Sequence, residues 1–239
     1  IINADIGNDS LAGIYYNLSK DLRQKIGDIK GVASCYNNLA LIASTDSNYL
    51  ESIRLMRKAI ELFDQIDHKR NFATVHGNLG VEFLTMGELD SAWKHCFLSF
   101  QIREKHGFID HLAGSYGDLG DISSARGDYQ KALDYYMQGK ELSQTIHGNE
   151  WLIRNYLSIA KTYGKLGDSL NQKHFSDKAT HLKDSLASVI DFTHDIPAPP
   201  EQPKANAPVE KSNLLWWISG VAIIILAAIL ALKSKKKPR

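Results

Sequence analysis

The sequence repeats itself with a period of 40 residues, and this period constrains the fold more than any other feature. Each copy contains an aromatic residue, two variable residues, an aliphatic residue and a small residue, in that order. The copies are 36–40 (YNNLA), 76–80 (HGNLG), 116–120 (YGDLG) and 156–160 (YLSIA). Four copies in register, with no inserted residue, indicate a repeat architecture in which each unit is one supersecondary element.

Each unit predicts two helices joined by a turn. Apolar and small residues recur at helical spacing on both sides of the turn. Gly87, Gly127 and Gly167 can adopt the left-handed conformation that ends a helix, and Asp128 or Asp168 can cap the next one. Because one hairpin cannot bury its own apolar face, the sequence predicts an all-α fold of stacked hairpins.

Small and aromatic residues at fixed positions predict how the helices pack. Gly80 and Gly120 would let the two helices of a hairpin approach closely. Tyr116 and Tyr156 would fill the space between successive hairpins. His76 occupies the same aromatic position, so we expect it in the core and not in a metal site.

The period also extends toward the start of the chain. Subtracting two periods from Gly87 gives Gly7, again in a turn-like sequence, and Ala12 and Tyr16 fit the pattern that follows. Residues 1–28 are therefore expected to be the second half of an earlier repeat. Since the sequence starts with Ile1, we expect further repeats, and any signal peptide, to lie upstream in a longer protein.

These units resemble the tetratricopeptide repeat family over about residues 1–188. The match is best at Leu119, Gly120, Gly127, Asp128, Tyr129 and Ala132. The family's usual unit is about 34 residues, and a unit of 40 resembles longer-helix variants in bacterial sensor and regulatory proteins. The resemblance implies a right-handed α-solenoid, with four repeats over residues 29–188. Gln172 and Ser176 depart from the pattern, as expected of a terminal capping repeat.

The end of the sequence predicts a membrane anchor. Residues 214–232 (LLWWISGVAIIILAAILAL) carry no charge, and a span of about 20 apolar residues crosses a bilayer. The tail, residues 233–239, is rich in lysine and is expected to be cytoplasmic by the positive-inside rule. The repeats would then face the periplasm or the outside, held off the bilayer by a proline-rich linker over residues 189–213.

The charge distribution argues against a nucleic-acid partner. The whole chain has a formal net charge of +1, but residues 1–200 contain 21 basic and 25 acidic residues, a net charge of −4. Phosphate binding needs a basic surface, so no contact between the repeats and nucleic acid is expected.

No motif for catalysis is found. None of the nine histidines forms an HExxH motif or a pairing with cysteine at ligand spacing. Cys35 and Cys96 are expected to be buried free thiols, and the glycines are explained by turns rather than by a phosphate loop. We therefore predict no enzymatic activity, no cofactor and no metal site.

The family resemblance also implies a binding surface, since the first helix of each repeat lines a concave groove in this family. The positions in this sequence predicted to contact a partner are Asn37, Leu41, Val81, Asp121, Arg154, Lys161 and Lys165. The lysine and asparagine clamp for a terminal carboxylate, found in chaperone-binding members, is absent at the matching positions. A gradient remains, from apolar early repeats to a basic last repeat.

Two functions remain open. The chain could be a membrane-anchored module that binds a protein or peptide in its groove. It could instead be the sensory input region of a bacterial receptor, either a two-component histidine kinase or a membrane-linked transcriptional regulator. The neighbouring sequence on both sides would distinguish them, because only the receptor needs an output domain after Arg239.

Overall fold

The computed structural model describes the backbone of residues 8–194 and the side chains of residues 11–187. Within that part the chain is entirely helical, which confirms the predicted all-α class. The helices are α1 (Asn8–Lys25), α2 (Ile29–Thr45), α3 (Tyr49–Gln65), α4 (Lys69–Thr85), α5 (Leu89–Lys105), α6 (Ile109–Ala125), α7 (Tyr129–Thr145), α8 (Asn149–Lys165) and α9 (Ser169–His194). The predicted transmembrane segment, residues 214–232, and the tail, residues 233–239, lie outside the described residues.

The turns explain why the helices are so uniform. Helices α2 to α8 each contain 17 residues, and each is followed by three linking residues. At Gly87, φ is +77°, and its N–H donates to the carbonyl of Leu84 at 3.0 Å. The next residue, Glu88, donates to Phe83 at 2.9 Å. This pair of bonds is the Schellman motif, which satisfies carbonyls that a helix end leaves free.

The same motif closes every connection between the described helices, although a left-handed residue was predicted only at Gly87, Gly127 and Gly167. The turns within repeats contain Ser47, Gly87, Gly127 and Gly167, and those between repeats contain Gly27, Asp67, Gly107 and His147; all have positive φ. The structural period is therefore 20 residues, half of the sequence period. The prediction that aspartates cap the next helix is confirmed, since Asp128 accepts from the N–H of Lys131 and Asp168 from that of Asn171.

Glycines bring the two helices of a hairpin close together, as predicted. A Cβ at Gly80 would lie 2.9 Å from the backbone nitrogen of Cys96 and 3.0 Å from the carbonyl oxygen of Ala92. A Cβ at Gly120 would collide with the ring of Tyr136. Real Cβ atoms do not approach backbone atoms so closely, so any larger residue would push the helices apart.

The first helices of the repeats, α2, α4, α6 and α8, lie along the inner side of the stack. Contacts between alternate helices occur for α2 with α4, α4 with α6, and α6 with α8, whereas none occur for α1 with α3, α3 with α5 or α5 with α7. A stack curves toward the side on which alternate helices are closer. The resemblance's implication that first helices line the concave face therefore agrees with the structure, whereas the right-handed sense of the superhelix stays a prediction.

The apolar core is divided into two clusters. One extends from α2 to α6 and includes Met56, Phe63, Leu79 and Leu119. The other joins α7, α8 and α9 around Tyr136 and Ile159.

In the described part of the chain, no helix combines the length and apolarity needed to cross a membrane.

The left-handed turns predict an unusual response to glycine. Ser47 and His147 have φ of 60° and 54°, a conformation that costs a non-glycine residue about 1–2 kcal/mol. Glycine is more costly to order by about 0.4–1 kcal/mol, so Ser47→Gly and His147→Gly should each stabilise the fold by about 1 kcal/mol. Thermal unfolding followed by circular dichroism measures this gain.

Gly87→Ala is the matched control, because it places a side chain on the equivalent residue of another turn. It should lower the free energy of unfolding by about 1 kcal/mol, the same net balance with the opposite sign. Equal stability of Ser47→Gly and the unsubstituted chain would contradict the strain inferred at these turns.

Candidate partner-binding groove

Apolar side chains are exposed along the inner face of the first helices. Leu41 of α2, Val81 of α4 and Leu157 of α8 are 42%, 39% and 42% exposed. Leu41 and Val81 were predicted groove residues, and Leu157 shares their helix face one turn before Lys161. The groove therefore offers apolar contact area to a partner.

An amide pair connects the first two repeats beside these apolar residues. Asn37, a predicted groove residue, accepts a hydrogen bond from the side chain of Asn78 at 3.0 Å. Both side chains are half-buried. Asn78 precedes Val81 by one helical turn, so the amide pair and the apolar surface belong to the same face.

A buried carboxylate also links α2 to α4, and the sequence analysis did not anticipate it. Glu82 is 3% exposed and accepts from the hydroxyl of Ser44 at 2.7 Å. Its other oxygen has no partner among the described residues. Leaving a buried polar atom unpaired destabilises a fold. The register-equivalent positions carry no such cost, because two hold Ile42 and Ile122 and the third holds Thr162, whose hydroxyl donates to the carbonyl of Ser158.

Arg154 is partly exposed, but its guanidinium is paired within the protein. Its guanidinium donates to Asp118 at 2.8 Å and to Asp121 at 2.7 Å, which connects α8 to α6. The other oxygen of Asp121 accepts from the hydroxyl of Tyr136 at 2.6 Å. Of the predicted contact residues, Asp121 and Arg154 thus bind each other, and the basic gradient in the last repeat is smaller than the sequence suggested.

Burial shifts the pKa values in this network in different directions. Burial raises the pKa of Asp118, although Arg154 opposes that shift. Burial alone would lower the pKa of Arg154, but Asp118 and Asp121 outweigh it, so the pKa is raised and the guanidinium stays charged. The pKa of Tyr136 is raised by burial and by the neighbouring Asp121, so its hydroxyl remains a donor.

A second guanidinium lies in the interior near this network. Arg103 of α5 donates to the hydroxyl of Ser115 at 2.6 Å and to the carbonyl of His111 at 3.2 Å. A Cβ at Gly77 would be 3.5 Å from its Nη2 atom. The nearest atom to such a Cβ would be the hydroxyl oxygen of Ser99 at 3.2 Å, whereas its contact with Arg103 would be ordinary van der Waals packing.

A cleft opens beside α6 and α8 at the last repeat. Its volume is about 490 Å³, and its lining includes Asp121, Tyr129, Ser158, Lys161 and Lys165. Lys161 and Lys165 are exposed, and among the described residues neither forms an ion pair. The cleft thus brings together three of the seven predicted contact residues.

Two histidines pair inside the second hairpin. The Nδ1 atoms of His76 and His95 are 2.9 Å apart, and the rings stack with centroids separated by 5.1 Å. The core position predicted for His76 is confirmed, because it is buried. Over the described residues, no group of three histidine, cysteine, aspartate or glutamate side chains is arranged to hold a metal ion. Cys35 and Cys96 are buried free thiols, as predicted.

Family models identify two of the repeats directly. Models described as tetratricopeptide repeat match residues 32–63 and residues 113–146. Within these two ranges the chain contains tetratricopeptide repeats. The two matches cover parts of the first and third complete repeats, and the helix spacing extends the same unit across the second and fourth.

Solved structures of similar fold agree with this result. BtubC (BKLC) from P. vanneervenii is 15% identical and superposes with a TM-score of 0.59, over 84% of this chain and 89% of that one. Aspartyl phosphate phosphatase F from Bacillus subtilis is 14% identical, with a TM-score of 0.62 over 78% of this chain and 53% of that one. At such identities the similarity establishes the fold alone.

A third similar structure is a Rap protein in complex with competence and sporulation factor. It is 12% identical, with a TM-score of 0.61 over 77% of this chain and 57% of that one. This chain therefore spans little more than half of the Rap protein. No curated protein sequence matches this chain.

The histidine pair predicts a loss of stability in weak acid. Burial, and after it the neighbouring His95, lowers the pKa of His76 to about 4 from its usual 6.5. Of the two smaller effects, Asp64 raises this pKa and Lys94 lowers it. Below pH 6.5 this histidine binds a proton in the unfolded chain, whereas in the folded chain it stays neutral until about pH 4. Neutral His76 therefore makes its full contribution to the free energy of unfolding above pH 6.5, and that contribution is lost as the pH falls toward 4. Between pH 7 and pH 5, the free energy of unfolding should fall by about 2 kcal/mol.

His76→Tyr is the matched control, because tyrosine occupies this position in the other repeats. Urea unfolding at several pH values should show a flatter profile for this variant. Identical profiles for the variant and the unsubstituted chain would contradict the assignment to His76.

Proposed function

We propose that this chain is a membrane-anchored interaction module that binds a protein or peptide in the groove formed by its first helices. The observation that carries this proposal is the exposure of Leu41, Val81 and Leu157 along one face. Apolar side chains that a fold leaves exposed on one side of the molecule can serve as contacts for a partner. The half-buried amides of Asn37 and Asn78 add polar groups that orient a ligand.

The fold gives independent support to a binding role. Solenoids of stacked helix hairpins form extended concave surfaces used for recognition. The Rap protein of similar fold was solved with competence and sporulation factor bound. A binding role without catalysis is also consistent with the absence of a catalytic motif in the sequence.

The membrane anchor and the orientation are part of this proposal. The apolar run at residues 214–232 and the basic tail at residues 233–239 support a single span with the repeats in the periplasm or outside the cell. Such a module would recruit its partner to the outer side of the membrane.

The same features support a second candidate, the sensory input region of a bacterial receptor. A binding groove, one span and a basic segment next to the membrane would transmit ligand binding to an output domain after Arg239. The gene sequence beyond Arg239 decides between them. An open reading frame that continues into a kinase or DNA-binding domain favours the receptor.

The groove assignment predicts which exposed apolar residues matter. Leu41→Glu combined with Val81→Glu should weaken partner capture at least about tenfold, because a carboxylate would be desolvated against an apolar partner surface. Crosslinking and affinity capture from the native cells would measure this, with each protein quantified against the unsubstituted chain.

Leu50→Glu is the control for this experiment. Leu50 is 76% exposed but lies on the second helix α3, outside the groove. The groove does not bind a captured protein if the Leu41/Val81 double variant and Leu50→Glu reduce its capture equally. The same conclusion follows if neither variant reduces it.

The orientation predicts that the repeats are sensitive to protease in spheroplasts whose cytoplasmic membrane is intact. If the repeats face outward, protease added to intact spheroplasts should cut them without detergent. Repeats that survive until the membrane is permeabilised would disprove the outward placement.

A further inference from the structure

We propose that the cleft beside α6 and α8 binds an acidic segment of the partner, with carboxylates placed against Lys161 and Lys165. This inference rests on the proposed groove function and names the chemistry of one end of the ligand. The cleft volume of about 490 Å³ lies within the range of about 300–1,000 Å³ typical of ligand sites.

The positive charge of the cleft is not neutralised within the described part of the protein. Lys161 and Lys165 are four residues apart on α8, so their side chains lie on the same face of the helix. Both are exposed and line the cleft. No described carboxylate forms an ion pair with either, so a ligand carboxylate would meet two unpaired ammonium groups.

Asp121 is the acidic residue in the cleft lining, and both oxygens of its carboxylate already accept hydrogen bonds within the protein. One oxygen accepts from Tyr136 and the other from Arg154. Asp121 therefore cannot turn toward a lysine without breaking hydrogen bonds in a partly buried site, which would cost more than an exposed ion pair returns.

Neutral donors extend the same site. The hydroxyls of Ser124 and Tyr129 line the cleft, and within residues 11–187 no partner accepts from either. Hydroxyl groups next to cationic side chains suit a carboxylate, because its two oxygens together accept several hydrogen bonds.

Leu157 places an apolar contact one helical turn before Lys161. It is 42% exposed. The stripe of Leu157, Lys161 and Lys165 therefore fits a segment in which an apolar residue is flanked on one side by acidic residues. Nucleic acid does not fit this surface, because the first 200 residues carry a net charge of −4.

The test is a selection of random peptides displayed on phage against the full 239-residue chain. Peptides selected by the unsubstituted chain should be enriched in aspartate and glutamate next to an apolar residue. The double variant K161E/K165E should select peptides enriched in lysine and arginine instead, because the cleft would then be negative.

The matched control is K105E/K173E, which changes the net charge equally but alters exposed lysines on the second helices α5 and α9. Its selected peptides should keep the acidic preference. A synthetic peptide of the selected sequence should bind K161E/K165E about tenfold more weakly than the control in fluorescence anisotropy.

The outcomes of this selection distinguish the acidic-segment inference from the proposed peptide-binding function of the groove. Enrichment without an acidic preference, or with a preference that K161E/K165E leaves unchanged, would overturn the acidic-segment inference and leave the groove function standing. Failure of every variant to enrich any peptide above background would overturn the peptide-binding function, and this inference with it.

Discussion

The connections between the described helices, from Gly27 to Gly167, share one backbone conformation, and the geometry of the stack depends on it. A residue with positive φ ends each helix, and two hydrogen bonds tie the linking residues back to its last turn. From α2 to α8, three linking residues follow 17 helical ones, so helices α2 to α9 start 20 residues apart. Position n therefore meets the same environment as position n + 40. Glycine serves at five of these turns, whereas Ser47, Asp67 and His147 adopt the same φ at a steric cost.

Equivalent positions in the four repeats hold different residues, so the chemistry of the groove changes along its length. Gly117 occupies the same groove position as Asn37 and Leu157, and a Cβ there would be 3.4 Å from the guanidinium carbon of Arg154. That distance is an ordinary van der Waals contact, so the guanidinium lies directly against this stretch of α6, where it binds Asp118 and Asp121. This polar layer lies where the apolar cluster ending in α6 gives way to the cluster of α7 to α9. Such a layer contributes less stability than apolar packing would, but it requires the third and fourth repeats to meet in one register.

The sequence predicted what depends on local chemistry and missed what depends on side-chain pairing. Helix positions, turns, aspartate caps and the buried His76 follow from spacing, because each is set by residues within one unit. The contact of Arg154 with Asp118 joins residues 36 apart, and the contact of His76 with His95 joins residues 19 apart. Neither separation equals the repeat. The register identifies the face of a helix on which a residue lies, but the curvature of the stack decides which side chain it reaches.

That distinction changes how the basic end of the groove should be interpreted. By sequence, Arg154, Lys161 and Lys165 form one cationic group. In the structure, withdrawing Arg154 from its partners would leave the buried carboxylate of Asp118 without its ion pair, which is destabilising. The two lysines are on exposed, flexible stems and can turn toward an incoming carboxylate at little cost. Arg154 contributes indirectly, because by holding Asp121 it keeps an acidic residue from neutralising them.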